Sequence, residues 1–271
     1  LRILGQPLTS GSGEYRMVAP FRALQKAGLA QANIVHPIGH KIQRVLSPIE
    51  LARAAPDVLM LQQAIDDTQI NQLKRYRQFS PDIFVTYAVD DVLGNLPRKH
   101  YLYNFQAREG KSRMREGLAN CDRLIASTEP IADYCRDMIG DIVVVPNRLE
   151  GNLWGSLSSQ RGAGKKPRVG WAGAQQHLGD LELIKEVVKS LANEVEWIFM
   201  GMCPDFLKPY VTEEHDFVPF KDYPAKLASL NLDLAIAPLE QHLFNEGKSN
   251  LRLLEYGMMG WPVICTDIYP Y

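Results

Sequence analysis

Several groups of residues in this sequence have types and spacings suited to chemistry, and the fullest lies near the end of the chain. It runs Phe244-Asn245-Glu246-Gly247-Lys248-Ser249-Asn250-Leu251-Arg252-Leu253-Leu254-Glu255-Tyr256-Gly257-Met258-Met259-Gly260-Trp261-Pro262-Val263-Ile264 and reads as loop, helix, stop and buried strand. Ser249 is a residue type that caps helix starts, and Leu251, Leu254 and Met258 recur at helical spacing as a buried stripe. Gly260 supplies a left-handed stop and Pro262 prevents continuation. At about 3.6 residues per turn, Lys248, Arg252 and Glu255 line one edge of that stripe. A cation at a helix N-terminus opposes the helix dipole. The placement makes sense if an anion such as phosphate docks on the backbone N–H groups of Ser249 and Asn250, with Glu255 accepting from hydroxyls of the same ligand. The plainer alternative is an amphipathic helix whose charges meet water.

Three further groups carry a choice of the same kind. In Gly11-Ser12-Gly13-Glu14-Tyr15-Arg16, the glycines allow backbone N–H groups to approach a phosphate or simply make a turn. A dinucleotide fingerprint fails here, because Arg16 stands where the third glycine belongs. Asp90 and Asp91 end an apolar strand pattern at its carboxyl end, where they can orient sugar hydroxyls, share a proton or cap a turn. His177 follows Gly173-Ala174 and either donates to a phosphate or fills a structural role, while Asp180 is placed to cap the next helix.

Lys248-Ser249-x-Leu251-x-x-Leu254-Glu255-Tyr256-x-x-x-Gly260-x-Pro262-Val263-Ile264 resembles the donor-binding segment of retaining nucleotide-sugar glycosyltransferases of the GT-B fold, closest to the large group-one, family-4-like branch. Gly11-x-Gly13-x-Tyr15-Arg16 with Pro20, Asp90-Asp91-x-Leu93 with Leu96-Pro97, Ala126-Ser127-Thr128-Glu129, Val144-Val145-Pro146-Asn147 and Gly170-Trp171-Ala172-Gly173 with His177 extend the resemblance over nearly the whole chain. It implies a GT-B α/β fold, two Rossmann-like domains with parallel sheets facing a central cleft. It implies a sugar transferred from a nucleotide diphosphate to a glycan or lipid-linked acceptor, as in polysaccharide biosynthesis. No metal or cofactor is then expected beyond the nucleotide sugar. By the same resemblance the catalytic candidates are Lys248, Glu246 and Asp91, and the donor-binding candidates are Gly11, Gly13, Arg16, Gly173, His177, Gly247, Ser249, Asn250 and Glu255. Two features depart from the family pattern. The family's two glutamates have seven residues between them, which from Glu255 points to Gly247, with Glu246 one residue earlier, so Glu246 or the Gly247 backbone takes the donor sugar. The family's basic pair early in the second domain is not evident, with Leu178 where a base is expected, which leaves Lys248, helped by Arg16, to carry the charge. A nucleotide-sugar epimerase of the same fold and a non-catalytic nucleotide-sugar-binding scaffold are the other readings.

The elements that must position these residues alternate as short apolar strands and amphipathic helices. Strands are expected at Arg2–Pro7, Ala32–His36, Asp57–Gln62, Asp82–Val89, Arg123–Ser127 and Ile142–Val145, with a loop from Thr9 to Gly13 before the first helix. After Gly155–Pro167, where Ser, Gly, Gln and Lys replace the apolar pattern, strands recur at Arg168–Ala172, Glu196–Met200, Phe217–Val218, Leu234–Pro238 and Pro262–Thr266. Such alternation indicates parallel sheets covered on both faces. The expected organisation is a domain over 1–155, a linker over 156–167 and a donor-binding domain over 168–271.

The 271 residues are 46% hydrophobic, with 30 basic against 31 acidic side chains and a net charge of −1, so nothing in the charge argues for nucleic acid. No apolar run is long enough to span a bilayer, and the N-terminal residues have no signal-peptide pattern. Cys121, Cys135, Cys203 and Cys265 are scattered, as expected of reduced thiols in a cytoplasmic protein. Peripheral membrane association is compatible with a lipid-linked acceptor. The chain starts without Met inside a strand pattern and stops in an expected loop, as if cut from something longer.

Overall fold

The computed structural model describes residues 1–9, 11–36, 46–63, 66–100, 102–106 and 109–271; Ser10 of the expected glycine loop lies outside these. The chain divides into two compact units, one of Leu1–Leu96, Phe105–Asn147 and Gly247–Ser249, the other of Pro97–Asn104, Arg148–Glu246 and Asn250–Tyr271.

Among the described residues, the first unit holds β1 (Arg2–Gln6), β2 (Gln31–Ile34), β3 (Val58–Gln62), β4 (Phe84–Val89), β5 (Arg123–Ala126) and β6 (Ile142–Val144). They pair in parallel in the order β2-β1-β3-β4-β5-β6. Side chains alternate across a strand, so each strand feeds both faces of the sheet. Leu59, Leu61, Val85, Tyr87 and Val89 pack on one side with Leu51, Leu73, Tyr76 and Met114 from helices. Met60 and Ala88, from the same strands, pack on the other with Met17 and Phe21. Burial of both faces is why these strands read as unbroken apolar runs.

The second unit holds β7 (Arg168–Ala172), β8 (Glu196–Met200), β9 (Glu213–His215), β10 (Leu234–Ala237) and β11 (Val263–Cys265), paired in parallel in the order β11-β10-β7-β8-β9. In each sheet the direction of winding reverses once, between β1 and β3 and between β7 and β10. Ligands of open α/β sheets bind outside the strands' carboxyl ends at such reversals.

Local structure departs from expectation at several places. The expected loop at 9–13 is already helical from Gly11, running through a π-turn at Glu14–Val18 into the helix Ala19–Lys26. Gly13 is required by packing, since a Cβ there would meet the Leu8 carbonyl oxygen at 2.0 Å. The fifth strand of the second sheet is Glu213–His215 rather than Phe217–Val218, and Phe217 remains 71% exposed. An edge strand tolerates charged side chains, and Arg168 holds Glu213 there through paired bonds of 2.7 and 3.0 Å. Residues 156–167 are tied to the second unit by bonds from Trp261 to Ser159, from the Gln160 N–H to Asn231 and from the Gly162 N–H to Asp233.

The helix after Asn250 spans Leu251–Met258, so Lys248 precedes it rather than lying on its face. Ser249 does not cap it: the cap position is Asn250, without a side-chain bond, and the Ser249 hydroxyl accepts from Asn147 Nδ2 at 2.9 Å. The buried face is Glu255, Tyr256 and Met259, while Met258 is 43% exposed. Tyr256 sets that rotation, with its ring against Trp261 and its Oη accepting from the Ala172 N–H at 3.0 Å.

Candidate functional site

In the first unit, polar side chains gather beyond the carboxyl ends of β1, β3 and β4. The sequence turns from apolar to polar there, at Gln62-Gln63 and at Asp90-Asp91. Asp90 Oδ2 accepts from the Ser12 hydroxyl and Oδ1 accepts from Gln63 Nε2 at 2.6 Å. Gln62 donates to Ser12 Oγ at 2.5 Å and accepts from the Leu8 N–H at 3.0 Å. Gln63 has φ of +46°, a conformation rare outside glycine and often found where a side chain is aimed for a purpose. Burial, then the neighbouring charge of Asp91, push the Asp90 carboxyl up to about 6; the Ser12 bond and the charges of Arg16 and Lys248 act the other way.

Arg16 is buried, donating through Nη1 to the Val145 carbonyl at 2.5 Å and to Asn147 Oδ1 at 2.9 Å, and its Nε has no hydrogen-bond partner among the described residues. Burial lowers its pKa and the charge of Asp90 opposes that. Asn147 reaches on to Ser249. Thr128 donates to the Gly247 carbonyl at 2.8 Å, and Lys248 Nζ pairs with Asp91 Oδ1 at 3.3 Å. The first unit thus collects Gly11, Gly13, Arg16, Asp91, Gly247, Lys248 and Ser249 of the residues singled out in the sequence.

In the second unit the polar residues gather at the reversal between β7 and β10. Gly173 follows β7, and a Cβ on it would meet the Trp171 ring at 2.4 Å and Arg252 Nη2 at 3.1 Å. Gly201, with φ of +88°, has its own would-be Cβ 2.4 Å from the Gly173 carbonyl oxygen, so two glycines pack backbone on backbone here. His177 is buried in the turn Gln175–His177, with Nδ1 2.7 Å from Asp180 Oδ2 and Nε2 3.1 Å from Arg252 Nη2. Asp180 is not a cap. It lies buried inside the helix Leu178–Glu182, where Oδ1 accepts from the Glu240 N–H at 2.6 Å and from Asn245 Nδ2 at 3.0 Å. The Arg252 guanidinium stacks on Trp171 with 5.6 Å to the ring centroid. Glu255 is buried and accepts from Tyr223 Oη at 2.9 Å, and Tyr223 packs on Phe220 and against Trp154. Burial, then the charge of Glu255, hold the Tyr223 phenol well above its ordinary pKa, so it remains a donor.

Asn250 and Glu246 lie at the two ends of the segment that leaves and re-enters this unit, Glu246 exposed at the end of a short helix. Sequence reasoning missed Ser12, Gln62, Gln63 and Asn147 in the first unit and Asp180, Tyr223 and Asn245 in the second. The polar ends of β3 and β6 were the available signal for Gln62, Gln63 and Asn147; Tyr223 had none. Among the described residues, no group of three or more His, Cys, Asp and Glu side chains is placed to hold a metal ion, and no helix is long and apolar enough to cross a membrane. Burial raises the Cys121 and Cys135 thiols to about 12 and Cys203 to about 11, leaving them unreactive. A cavity of about 340 Å³ in the second unit is lined by Val169, Ile184, Val187, Trp197, Leu234 and other uncharged side chains, apart from this chemistry.

No protein-family model matches the chain. No curated protein matches it by sequence. Solved structures do match. The sucrose-phosphate synthase of Thermosynechococcus elongatus superposes with a TM-score of 0.65 at 12% identity, over 98% of this chain and 81% of that one. TarM superposes at 0.54 and 12% identity, and a mutant of S. aureus TarM in complex with fondaparinux, α-GlcNAc-glycerol and UDP at 0.53 and 13%. Both TarM comparisons cover 82% of this chain and 44% of TarM, so the chain spans less than half of that protein. At such identities the likeness is one of fold. The protein has the GT-B fold, with two Rossmann-like α/β units built on parallel sheets of six and five strands.

Proposed function

We propose that the protein is a retaining glycosyltransferase of the group-one kind, moving a sugar from a nucleotide diphosphate to a glycan or lipid-linked acceptor. The observation that carries this reading is Glu255, a buried carboxylate on a helix beside β10 and β11, in a scaffold shared with a sugar-phosphate synthase and with a TarM solved with UDP. Burying a carboxylate is costly unless hydrogen bonds hold it. Tyr223 supplies such a bond, and the ribose hydroxyls of a nucleotide are the kind of donor that a carboxylate so placed receives.

Cleaving the anomeric C–O bond leaves negative charge on the nucleotide diphosphate. Lys248 and the N–H groups of Ser249 and Asn250 are assigned to that charge, which they stabilise more strongly as it develops than in the bound donor. Gly173 admits the backbone to the phosphates, and Gly11, Gly13 and Arg16 serve the donor side of the first unit. Glu246 or the Gly247 backbone takes the donor sugar, and Asp91 orients the acceptor hydroxyl. No side chain is assigned as a nucleophile, in keeping with leaving-phosphate assistance to the acceptor. A thermal-shift and calorimetric screen of UDP, GDP, ADP, dTDP and their common sugars, on wild type and Glu255→Ala, tests the reading. Stabilisation by one nucleotide diphosphate, lost in the variant, is expected. No binding by any of them, or binding indifferent to Glu255, would remove it.

A further inference from the structure

We propose that Arg252 is the cation that receives the donor diphosphate in the second unit, and that the buried Asp180–His177 pair is the device that aims it. The proposal rests on the nucleotide-diphosphate reading above and adds the residues the sequence lacked at the position where a base is expected. The structure brings a cation there through space. Arg252, seventy-nine residues beyond Gly173 in the chain, places Nη2 so close to Gly173 that a side chain at that position would press on it. Gly173 follows the carboxyl end of β7 at the winding reversal, where α/β sheets bind ligands.

The hydrogen-bond directions are fixed by chemistry. An arginine side chain only donates. His177 Nε2, 3.1 Å from Arg252 Nη2, must therefore be the accepting nitrogen, which puts the ring proton on Nδ1, facing Asp180 Oδ2 at 2.7 Å. Asp180 is itself anchored, because its other oxygen takes the Glu240 N–H after β10 and the Asn245 amide. The chain Glu240–Asp180–His177–Arg252 thus runs from the loop after β10 to the guanidinium. Trp171 lies against both ends of the last step, edge-on to His177 at 5.9 Å and under Arg252 at 5.6 Å. Arg252 is hydrogen-bonded to that neutral imidazole and to the Tyr271 side chain, feels the charge of Glu255 on its own helix, and forms no salt bridge among the described residues. In this reading His177 serves the phosphate through Arg252 rather than by a hydrogen bond of its own, and His177 and Asp180 are positioning residues.

The test uses calorimetry on the full chain with UDP, GDP, ADP and dTDP, the matching nucleosides, and inorganic pyrophosphate. Arg252→Gln is expected to weaken the preferred nucleoside diphosphate and pyrophosphate roughly ten- to hundredfold, the range for losing a charge-assisted hydrogen bond. It should leave the nucleoside unchanged. Asp180→Asn is the finer probe. Its oxygen can keep the Glu240 and Asn245 contacts, while its amide donates to His177 Nδ1 and drives the ring proton to Nε2, against Arg252. The variant is therefore expected to lose diphosphate affinity in the same direction with Arg252 intact. The ¹⁵N shifts of the His177 ring should report Nδ1–H in wild type and Nε2–H in Asp180→Asn. Diphosphate binding unchanged in both variants, or nucleoside and diphosphate weakened equally, would overturn the proposal while leaving the nucleotide reading in place. Pyrophosphate binding that depends on Arg252, with no nucleotide bound, would keep the proposal and remove that reading. No binding of any of these anions to wild type would end both.

Discussion

Asp90→Asn tests the first-unit site on a measured scale. The Asp90 carboxyl stands at about 6 in the folded chain against an ordinary value of 3.8. At about 1.4 kcal/mol per pH unit, that difference amounts to ~3 kcal/mol. A raised acid holds its proton more tightly when folded, so its contribution is fully present below about pH 4 and is lost as pH rises through 6. Carboxylates with depressed pKa, such as Glu213 beside Arg168 and Asp137 beside Arg115, work in the opposite sense and lose stability as acid is added. The wild-type curve mixes the two, and subtracting the Asp90→Asn curve isolates Asp90. Asparagine keeps its oxygen as acceptor for Gln63 Nε2 and turns its amide to the Ser12 oxygen, which can accept, so the network has a means of surviving the substitution.

All four tryptophans, at 154, 171, 197 and 261, belong to the second unit, so tryptophan emission does not see the first. Amide hydrogen exchange read by mass spectrometry over β3 and β4, corrected for intrinsic rates, reports the opening free energy of the strands that carry Gln62, Gln63 and Asp90. The expected result is a wild-type minus variant difference that falls by ~3 kcal/mol between pH 4 and pH 7 and is flat outside that window. A difference curve flat throughout would mean that Asp90 is solvated and that the Ser12–Gln63 cradle does not hold it in the folded chain.

Other substitutions probe single contacts. Tyr223→Phe removes a donor from the buried Glu255 carboxylate and should cost the second unit roughly 1.5–3 kcal/mol in urea unfolding followed by tryptophan emission. A stability within error of wild type would show that bond to be dispensable. Gly13→Ala drives a methyl into the Leu8 carbonyl and should cost about 1–3 kcal/mol, seen as faster exchange in β1 and the helix Ala19–Lys26 with unaltered tryptophan emission. Lys248→Ala should lower kcat more than it weakens donor binding, and an unchanged rate would free Lys248 of its assigned part.

What was legible in the sequence follows from how each element is stabilised. Strands buried on both faces leave unbroken runs such as Trp197-Ile198-Phe199-Met200, and these announced themselves. β9 did not, because Glu213-Glu214-His215 owes its place to pairing with β8 and to Arg168, both distant in sequence. The start and register of the helix at 251–258 were misread because leucines occupy several of its faces; Tyr256 decides the rotation, through Ala172 on β7. Asp90, Asp91, Gly173 and His177 stood out by their position just beyond strand ends. Arg252 was visible only as one of three charges along a helix. Its approach to Trp171 and His177 is a tertiary event that spacing does not encode. Lys248 was placed on the helix by periodicity, but the Thr128 and Asn147 bonds hold its neighbours in the first unit before the helix begins.

The two reversals are prepared for different chemistry, and the difference lies in how charge is compensated. In the first unit the cradle at the ends of β3 and β4 is Asp90 with Ser12, Gln62 and Gln63, one carboxyl among hydroxyl and amide groups, apart from the Lys248 and Arg16 assigned to the donor. An amide-rich cradle of that kind suits neutral hydroxyl ligands, which exchange hydrogen bonds with it and bring no charge to be desolvated. In the second unit Asp180 is committed to His177, the Glu240 N–H and Asn245, and Glu255 holds Tyr223, while Arg252 bonds a neutral ring and the Tyr271 side chain with the charge of Glu255 nearby. That arrangement suits an anion beside a hydroxyl-bearing group, which is the description of a nucleotide diphosphate. Pyrophosphate should accordingly slow exchange around 172–180 and 250–256 and leave β3 and β4 untouched. Protection appearing at Asp90 instead would reverse the assignment of the two sites.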